Sequence, residues 1–482
     1  LGALTGAGAL AARSSPKLTV AIILEQFRPD YLDAVRSRLI EGGLRRILDN
    51  GASFWDCRHQ ASTFTATTLA TLATGAWPSV HGIVADTWYD RATRRPVRAS
   101  DEYLFGSTLA AEAAASPRCR AFVIGMDPVR TRLFAGSAAV PYYWMDARGQ
   151  FMARGDTPEW LVAYNRQKPI ENFRNAPWMA IGAGPDSPPL RTLTYAVERP
   201  DDFYLLYRAS PFAQMAQFEF LREFLTREKV GQGPTTDLVC LLLGSTEALG
   251  YDTGARSPLM EQMVMHLDRH LEFLFDQLDR TPGRNEFNLV LTAAHGAPPA
   301  PAPDARHRLA IGGEQLAQTL QKALAPAGPK LERYLYPFLY LDHASRESEA
   351  ARLTAARVAL AYPGVGAYYT AGGACSLSGD WAARFRNSFH LQRSGDVMLA
   401  YRPGCVEEFG AARGVTYGSL YNYDSRVPLV FYGPQFAKRS FEQPVESVDV
   451  APTLARALGV AQPSAATGRV LGEAFRDRAE SA

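Results

Sequence analysis

Lys17–Leu24 reads KLTVAIIL, an unbroken apolar run rich in β-branched residues. A run with no polar face predicts a strand buried on both sides, as in a parallel sheet, rather than one with a wet face. Arg120–Ile124, Leu238–Leu243 (LVCLLL), Phe287–Thr292, Val397–Tyr401 and Pro428–Tyr432 read the same way. Helical patterns lie between them. Ser257–Asp279 spaces Met260, Met263, Val264, Leu267, Leu271, Leu274 and Leu278 three and four apart on one face. Val448–Leu458 is a shorter case, with Gly459 placed to end it. Strands alternating with helices predict an α/β fold, a mostly parallel sheet covered on both faces. In such sheets functional sites gather at the carboxyl ends of the strands.

The chain has 482 residues, which suits one large α/β domain with insertions or two to three smaller units. Two stretches break the strand–helix rhythm and read as insertions on one domain spanning 17–482. They run from about 91 to 225 and from about 297 to 393, the second opening with the Pro-rich APPAPAPDA. Lys and Arg total 51 against 49 Asp and Glu, for a formal charge of +2, and no basic run or basic-aromatic patch stands out. Nucleic acid is therefore not an expected partner. Residues 1–16 begin LGALTGAGALAA and continue Arg13-Ser14-Ser15-Pro16. They read as the back half of a secretory signal, which predicts a periplasmic or secreted protein, or as a flexible tail. No apolar run is long enough to span a bilayer. The five cysteines (Cys57, Cys119, Cys240, Cys375, Cys405) lack C-x-x-C spacing, so a zinc ribbon is unsupported, and their odd number leaves at least one thiol without a disulfide.

Several dispersed segments, taken in order, carry a resemblance. They are EQFRPDYL at Glu25–Leu32, TFTATTLATLATGAWPSVHGIVADTWYD at Thr63–Asp90, LGSTEALGYDTG at Leu243–Gly254, LDRHLEFLFDQLD, LTAAHG at Leu291–Gly296, SGDVMLAYRPG, YGSLYNYDSRVPLVFYG and VESVDVAPTLARALG. Together they resemble the type I phosphodiesterase and nucleotide pyrophosphatase-like branch of the alkaline-phosphatase superfamily. The resemblance covers nearly the whole chain from Lys17. It implies a site where two divalent metals, held by three Asp and three His at strand ends, flank a Thr or Ser nucleophile and brace phosphoryl transfer.

Carried over position by position, the resemblance is uneven. Thr65 falls on the nucleophile, although a helix N-cap hydroxyl is the plainer use of a threonine here. Glu25 and Glu247 fall on Asp ligands and keep a carboxylate one methylene longer, while metal sites tolerate only about 0.2 Å of error in ligand distance. Tyr251 stands for a His, and a phenol is a poorer zinc ligand than imidazole. Ala294 stands for an Asp and can ligate nothing, His295 beside it is retained, and Arg426 stands for the last His. Asp86 falls on the phosphate-binding Asn and would repel a phosphate. Arg130 in Asp127–Arg130 (DPVR) is the only basic residue near the expected phosphate clamp.

Two carboxylates against one guanidinium leave these positions a formal charge of −1, so a closed two-metal site is not expected. Arg426 is expected either to replace a metal and bind Glu25 or Glu247, or to turn out to solvent. His266 and His270, four apart on one helix, have a spacing that could bind metal but read as an exposed pair without a ligand role. Asp424 reads as a turn residue. PYYWMD at Pro141–Asp146, with Trp77 and Trp88, reads as packing at the base of an insertion or as a groove lining.

The functional expectation is a non-catalytic scaffold with no cofactor, binding an unidentified protein or small molecule. The alternatives are a phosphomonoesterase or phosphodiesterase using Thr65 as nucleophile, with one zinc or other divalent ion beside Glu25, Thr65 and His295 or a rearranged pair among the remnants Glu25, Glu247 and His295, and a metal-free transferase or ligand-binding protein.

Overall fold

The computed structural model describes residues 16–298, 310–407 and 417–476. The signal-like reading of the N-terminus, and most of the Pro-rich start of the second insertion, lie outside the described residues.

Ten strands form the main sheet. Leu18–Leu24 is buried at every position and sits at its centre, parallel to Thr236–Leu243 on one side and to Phe287–Ala293 on the other. Leu24 lies level with both Leu243 and Ala293, so three strands end in line. The order across the sheet is Arg439–Phe441, Ala52–Arg58, Arg426–Tyr432, Phe287–Ala293, Leu18–Leu24, Thr236–Leu243, Cys119–Gly125, Tyr142–Met145, Phe151–Ala153, with Val445–Glu446 also paired to Ala52–Arg58. The predicted mostly parallel α/β sheet is what forms. Its flanking helices include Pro258–Leu278, which starts on the Ser257 hydroxyl bonded to the Leu259 amide, and Val450–Leu458, which ends at Gly459 in the left-handed region (φ +68°).

Two of the predicted parallel strands are corrected. Arg426–Tyr432, foreseen from Pro428, runs antiparallel to both of its neighbours. Val397–Tyr401 is not in this sheet. It pairs antiparallel with Phe338–Leu341 and Val365–Thr370 in a separate four-stranded sheet that also takes in Leu331–Leu335. That sheet has its own core, where Leu339, Leu341, Val397 and Leu399 meet Leu316, Leu320 and Ala355 of the helices Gly313–Leu324 and Glu349–Leu360. An apolar run reports burial, not the direction of its partner. Either sheet satisfies it.

The aromatic segments are packing elements. Trp88 is buried edge-on against Tyr103, and Tyr142–Met145 is a strand near one edge of the main sheet. The histidine pair is also corrected. His270 is buried against Phe218, and His266 is half-buried near Trp178, their ring centroids 6.1 Å apart. Burial pushes both imidazoles down to about 4, so they are neutral. All five cysteines are unpaired, and no described helix is long and apolar enough to cross a membrane.

Candidate functional site

The three strands that end in line deliver the site. Glu25 follows Leu24 directly, its amide bonded to the Leu243 carbonyl. Gln26, in the left-handed region (φ +59°), then turns the chain away. Glu247 lies in the first turn of the helix Ser245–Thr253, which begins where Thr236–Leu243 stops. Ala294 and His295 follow Phe287–Ala293, with the His295 carbonyl accepting from the Phe27 amide at 2.7 Å. Thr65 opens the helix Thr65–Thr74. It is not the N-cap: Phe64 holds that place without a side-chain cap, and the Thr65 hydroxyl points elsewhere.

That hydroxyl lies 2.7 Å from Glu247 Oε1 and 2.8 Å from His295 Nε2. His295 Nδ1 faces the Gly296 carbonyl at 2.8 Å, which can only accept, so Nδ1 carries a proton. Thr65 therefore has two acceptors within reach for its single proton when the imidazole is neutral. Both Thr65 and His295 are fully buried.

The cation of the site is Arg130. Its Nη1 donates to Glu25 Oε2 at 2.7 Å and to Glu247 Oε2 at 2.5 Å, and Nη2 lies 3.3 Å from the Tyr417 hydroxyl. The sequence around it explains its placement. Asp127 caps the helix Pro128–Ala135 by accepting from the Arg130 amide at 2.9 Å, and Pro128 occupies the first turn. This fixes Arg130 at a helix start beside the end of the strand Cys119–Gly125. Arg426 does not take the role expected of it. Its side chain is 44% exposed, lies 3.5 Å from Asp56, and donates to the Trp55 carbonyl at 2.9 Å. As the first residue of a reversed strand, it sits at the correct end of the sheet. Arg426 is nonetheless the exposed first residue of a strand whose next five residues, Val427–Phe431, are buried, and its side chain turns away to Asp56 and Trp55.

The shared guanidinium treats the two carboxylates unequally. Burial pushes Glu25 up to about 8, more than Arg130 pulls it down. For Glu247 burial acts in the same sense, but Arg130 and His295 outweigh it and hold the group well below the ordinary carboxylate range. Glu247 also receives the Thr65 hydroxyl, so it is the anion and Glu25 the more readily protonated partner. A carboxyl raised on folding takes up a proton, so Glu25 contributes stability below its unfolded value that is lost as pH climbs toward 8. Glu25→Gln is expected to remove this component. The difference in unfolding free energy, variant minus wild type, should rise between about pH 5 and 8 in urea titrations; a flat difference contradicts the assignment.

Asp86 and Tyr417 complete the enclosure. Asp86 Oδ1 accepts the Ala66 amide at 2.8 Å in the first turn of the Thr65 helix, and Oδ2 lies 3.3 Å from the Tyr417 hydroxyl. The Tyr417 ring lies over His295, centroids 3.9 Å apart, and 5.6 Å from the Tyr251 ring. Tyr251 is thus in an aromatic wall, and Ala294 is buried with its amide bonded to the Leu24 carbonyl. Asp424 is buried, accepts from the Ser419 amide, and is raised by burial to about 6. Among the described residues no group of three or more His, Cys, Asp or Glu side chains is placed to hold a metal ion.

Sequence reasoning located Thr65, Glu25, Glu247 and His295 together, and treated Arg130 as a marginal phosphate clamp. It missed Tyr417 altogether. The Asp-Pro helix start before Arg130 was a readable signal for its position, though not for its partners.

Residues 19–411 match the model of the family described as type I phosphodiesterase / nucleotide pyrophosphatase. The chain belongs to that family. Within it, the chain is 25% identical to alkaline phosphatase PafA of Elizabethkingia meningoseptica, over 98% of each chain. It is 24% identical to a protein of Myroides odoratus named calcium-transporting ATPase, over 95% of each. The crystal structure of wild-type alkaline phosphatase PafA superposes with a TM-score of 0.82 at 22% identity, covering 96% of this chain and all of that one. The fold is accordingly alkaline-phosphatase-like, and the family places the chain in that superfamily.

Proposed function

We propose that this chain is a non-catalytic member of its family, an alkaline-phosphatase-like scaffold that binds a protein or small-molecule partner. The signal-like composition of its first residues supports a site of action in the periplasm or outside the cell.

One observation carries the reading: Arg130 Nη1 lies between Glu25 and Glu247. The metals of this family sit among carboxylates and imidazoles. Here the two carboxylates already share a permanent cation, one donor position is Ala294, and Arg426 faces outward. These residues do not fit a pair of divalent ions. Asp86 supports the same conclusion from the opposite charge. A helix N-terminus attracts anions, and the one beside Thr65 is capped by a carboxylate of the chain itself. A phosphate arriving there would meet Asp86 first.

Purified protein is expected to leave aryl phosphate mono- and diesters unhydrolysed, with or without added zinc. Chelator should not shift its unfolding temperature, because no metal binding energy is coupled to folding. Turnover that disappears in Thr65→Ala overturns the reading. It would favour instead a phosphoric ester hydrolase, for which the one supporting contact is the Thr65 hydroxyl poised on His295 Nε2.

A further inference from the structure

We propose that a cleft walled by Arg36, Trp55, Tyr423 and Arg426 binds a small aromatic carboxylate. This rests on the non-catalytic reading above and gives the partner a place and a chemical class.

The cleft lies where the chain leaves the central strand. The helix Pro29–Val35 supplies Asp30 and Asp33, and Arg36 follows it. Trp55 comes from the strand Ala52–Arg58, and Tyr423 and Arg426 from the turn into Arg426–Tyr432. Its volume is about 590 Å³, within the range of roughly 300–1,000 Å³ usual for small-molecule sites. It shares no lining residue with the Thr65 centre. The two meet through paired loops: Arg28 Nη1 donates to the Ala297 carbonyl at 2.8 Å, and the Ala297 amide donates to the Tyr423 carbonyl at 2.8 Å.

Charge decides what fits. Arg28 also lines the cleft but is fully occupied, with Nε and Nη2 on Asp30 at 2.7 and 2.6 Å and Nη1 on Ala297. Arg36 and Arg426 are not. The carboxylate nearest Arg36, Asp49, is 3.5 Å away and lies 3.6 Å from Arg45 as well. Arg426 donates through Nε to the Trp55 carbonyl, and Asp56, 3.5 Å from it, already accepts two bonds from Arg58. Among the described residues neither Nη of Arg426 nor any guanidinium nitrogen of Arg36 makes a hydrogen bond. Planar donors left free in this way match a carboxylate. Three arginines and two aspartates line the cleft, a balance of one positive charge. That suits a monoanion, and the aspartates oppose a phosphate dianion. Trp55, its indole pinned by Nε1 to Ser440 Oγ at 3.0 Å, and Tyr423 offer flat apolar surface to a ring.

The test uses the full chain as wild type, Arg36→Gln, Arg426→Gln and the double variant. Binding of 3-phenylpropionate is followed by saturation-transfer NMR at constant ionic strength, with 3-phenylpropanol, acetate and inorganic phosphate as competitors. Wild type should bind it with a Kd of ~1 mM or tighter, and none of the competitors should displace it at about tenfold excess. Each single variant should weaken binding about tenfold, the loss expected when a charge-assisted hydrogen bond is removed. Their unfolding temperatures should stay within ~2 °C of wild type, because both side chains are half-exposed. Absence of saturable binding below ~10 mM, displacement by any competitor, or a double variant that binds as wild type does would overturn the cleft and leave the non-catalytic reading standing. Turnover of aryl phosphates would remove that reading whatever the titration shows.

Discussion

Arg130→Met, measured without added metal, is expected to lower the unfolding free energy by about 3–5 kcal/mol at pH 7, the cost of leaving a buried charge without its partner. Glu25 and Glu247 are nearly inaccessible and lose their shared cation together. Methionine fills much of the stem volume, so little of the loss comes from a cavity. The deficit should shrink at pH 5, where the orphaned Glu247 carboxylate can take up a proton instead of remaining a buried anion. Adding Glu25→Gln and Glu247→Gln to Arg130→Met should recover a large part of it, because neutral amides cost far less to bury than carboxylates. Urea midpoints and slopes at the two pH values measure this. A loss below about 1 kcal/mol at pH 7 would mean that the pair is hydrated and contributes like a surface ion pair.

Gly296→Ala is expected to be nearly as damaging, for a steric reason. A Cβ on Gly296 would lie 2.0 Å from the backbone carbonyl oxygen of Tyr423, and the neighbour is main chain that cannot swing aside. The same glycine joins two loops of the site. Its amide donates to the Asp424 carbonyl at 2.7 Å, and its carbonyl accepts from His295 Nδ1. Forcing the loops apart should cost roughly 2–3 kcal/mol, at the upper end for overpacking. It should also release His295 from its orientation over Thr65. Hydrogen–deuterium exchange across residues 290–298 and 417–426 should accelerate in both segments. Faster exchange confined to the first would argue that the loops are not coupled through this contact.

The legible parts of this protein were those governed by local pattern. Lys17–Leu24, Leu238–Leu243 and Phe287–Thr292 read correctly as buried parallel strands, because full burial leaves no polar position in the run. Ser257 and Gly459 marked helix ends through side-chain and backbone chemistry that acts within a few residues. What failed depended on partners. Val397–Tyr401 is as apolar as the central strands yet serves another sheet. His270 belongs to the buried face of its helix, in step with Met263, Leu267 and Leu274, a periodicity that placed it inside although the pair was read as exposed.

The site divides in the same way. The sequence alone determined which residue types stand at the ends of the central strands: carboxylates at Glu25 and Glu247, His295 beside Ala294, and Thr65 before a helix. It also offered Arg426 as a cation to face those carboxylates, or else as one turned out to solvent. Which arginine does so was decided only in three dimensions. Arg426 sits at the exposed end of an otherwise buried strand and turns to Asp56, whereas Arg130, capped into place by Asp127, reaches inward across about a hundred residues of sequence to both glutamates. A charge requirement can be counted along a chain, but the reach and direction of a side chain are set by the element that carries it and by what packs against that element.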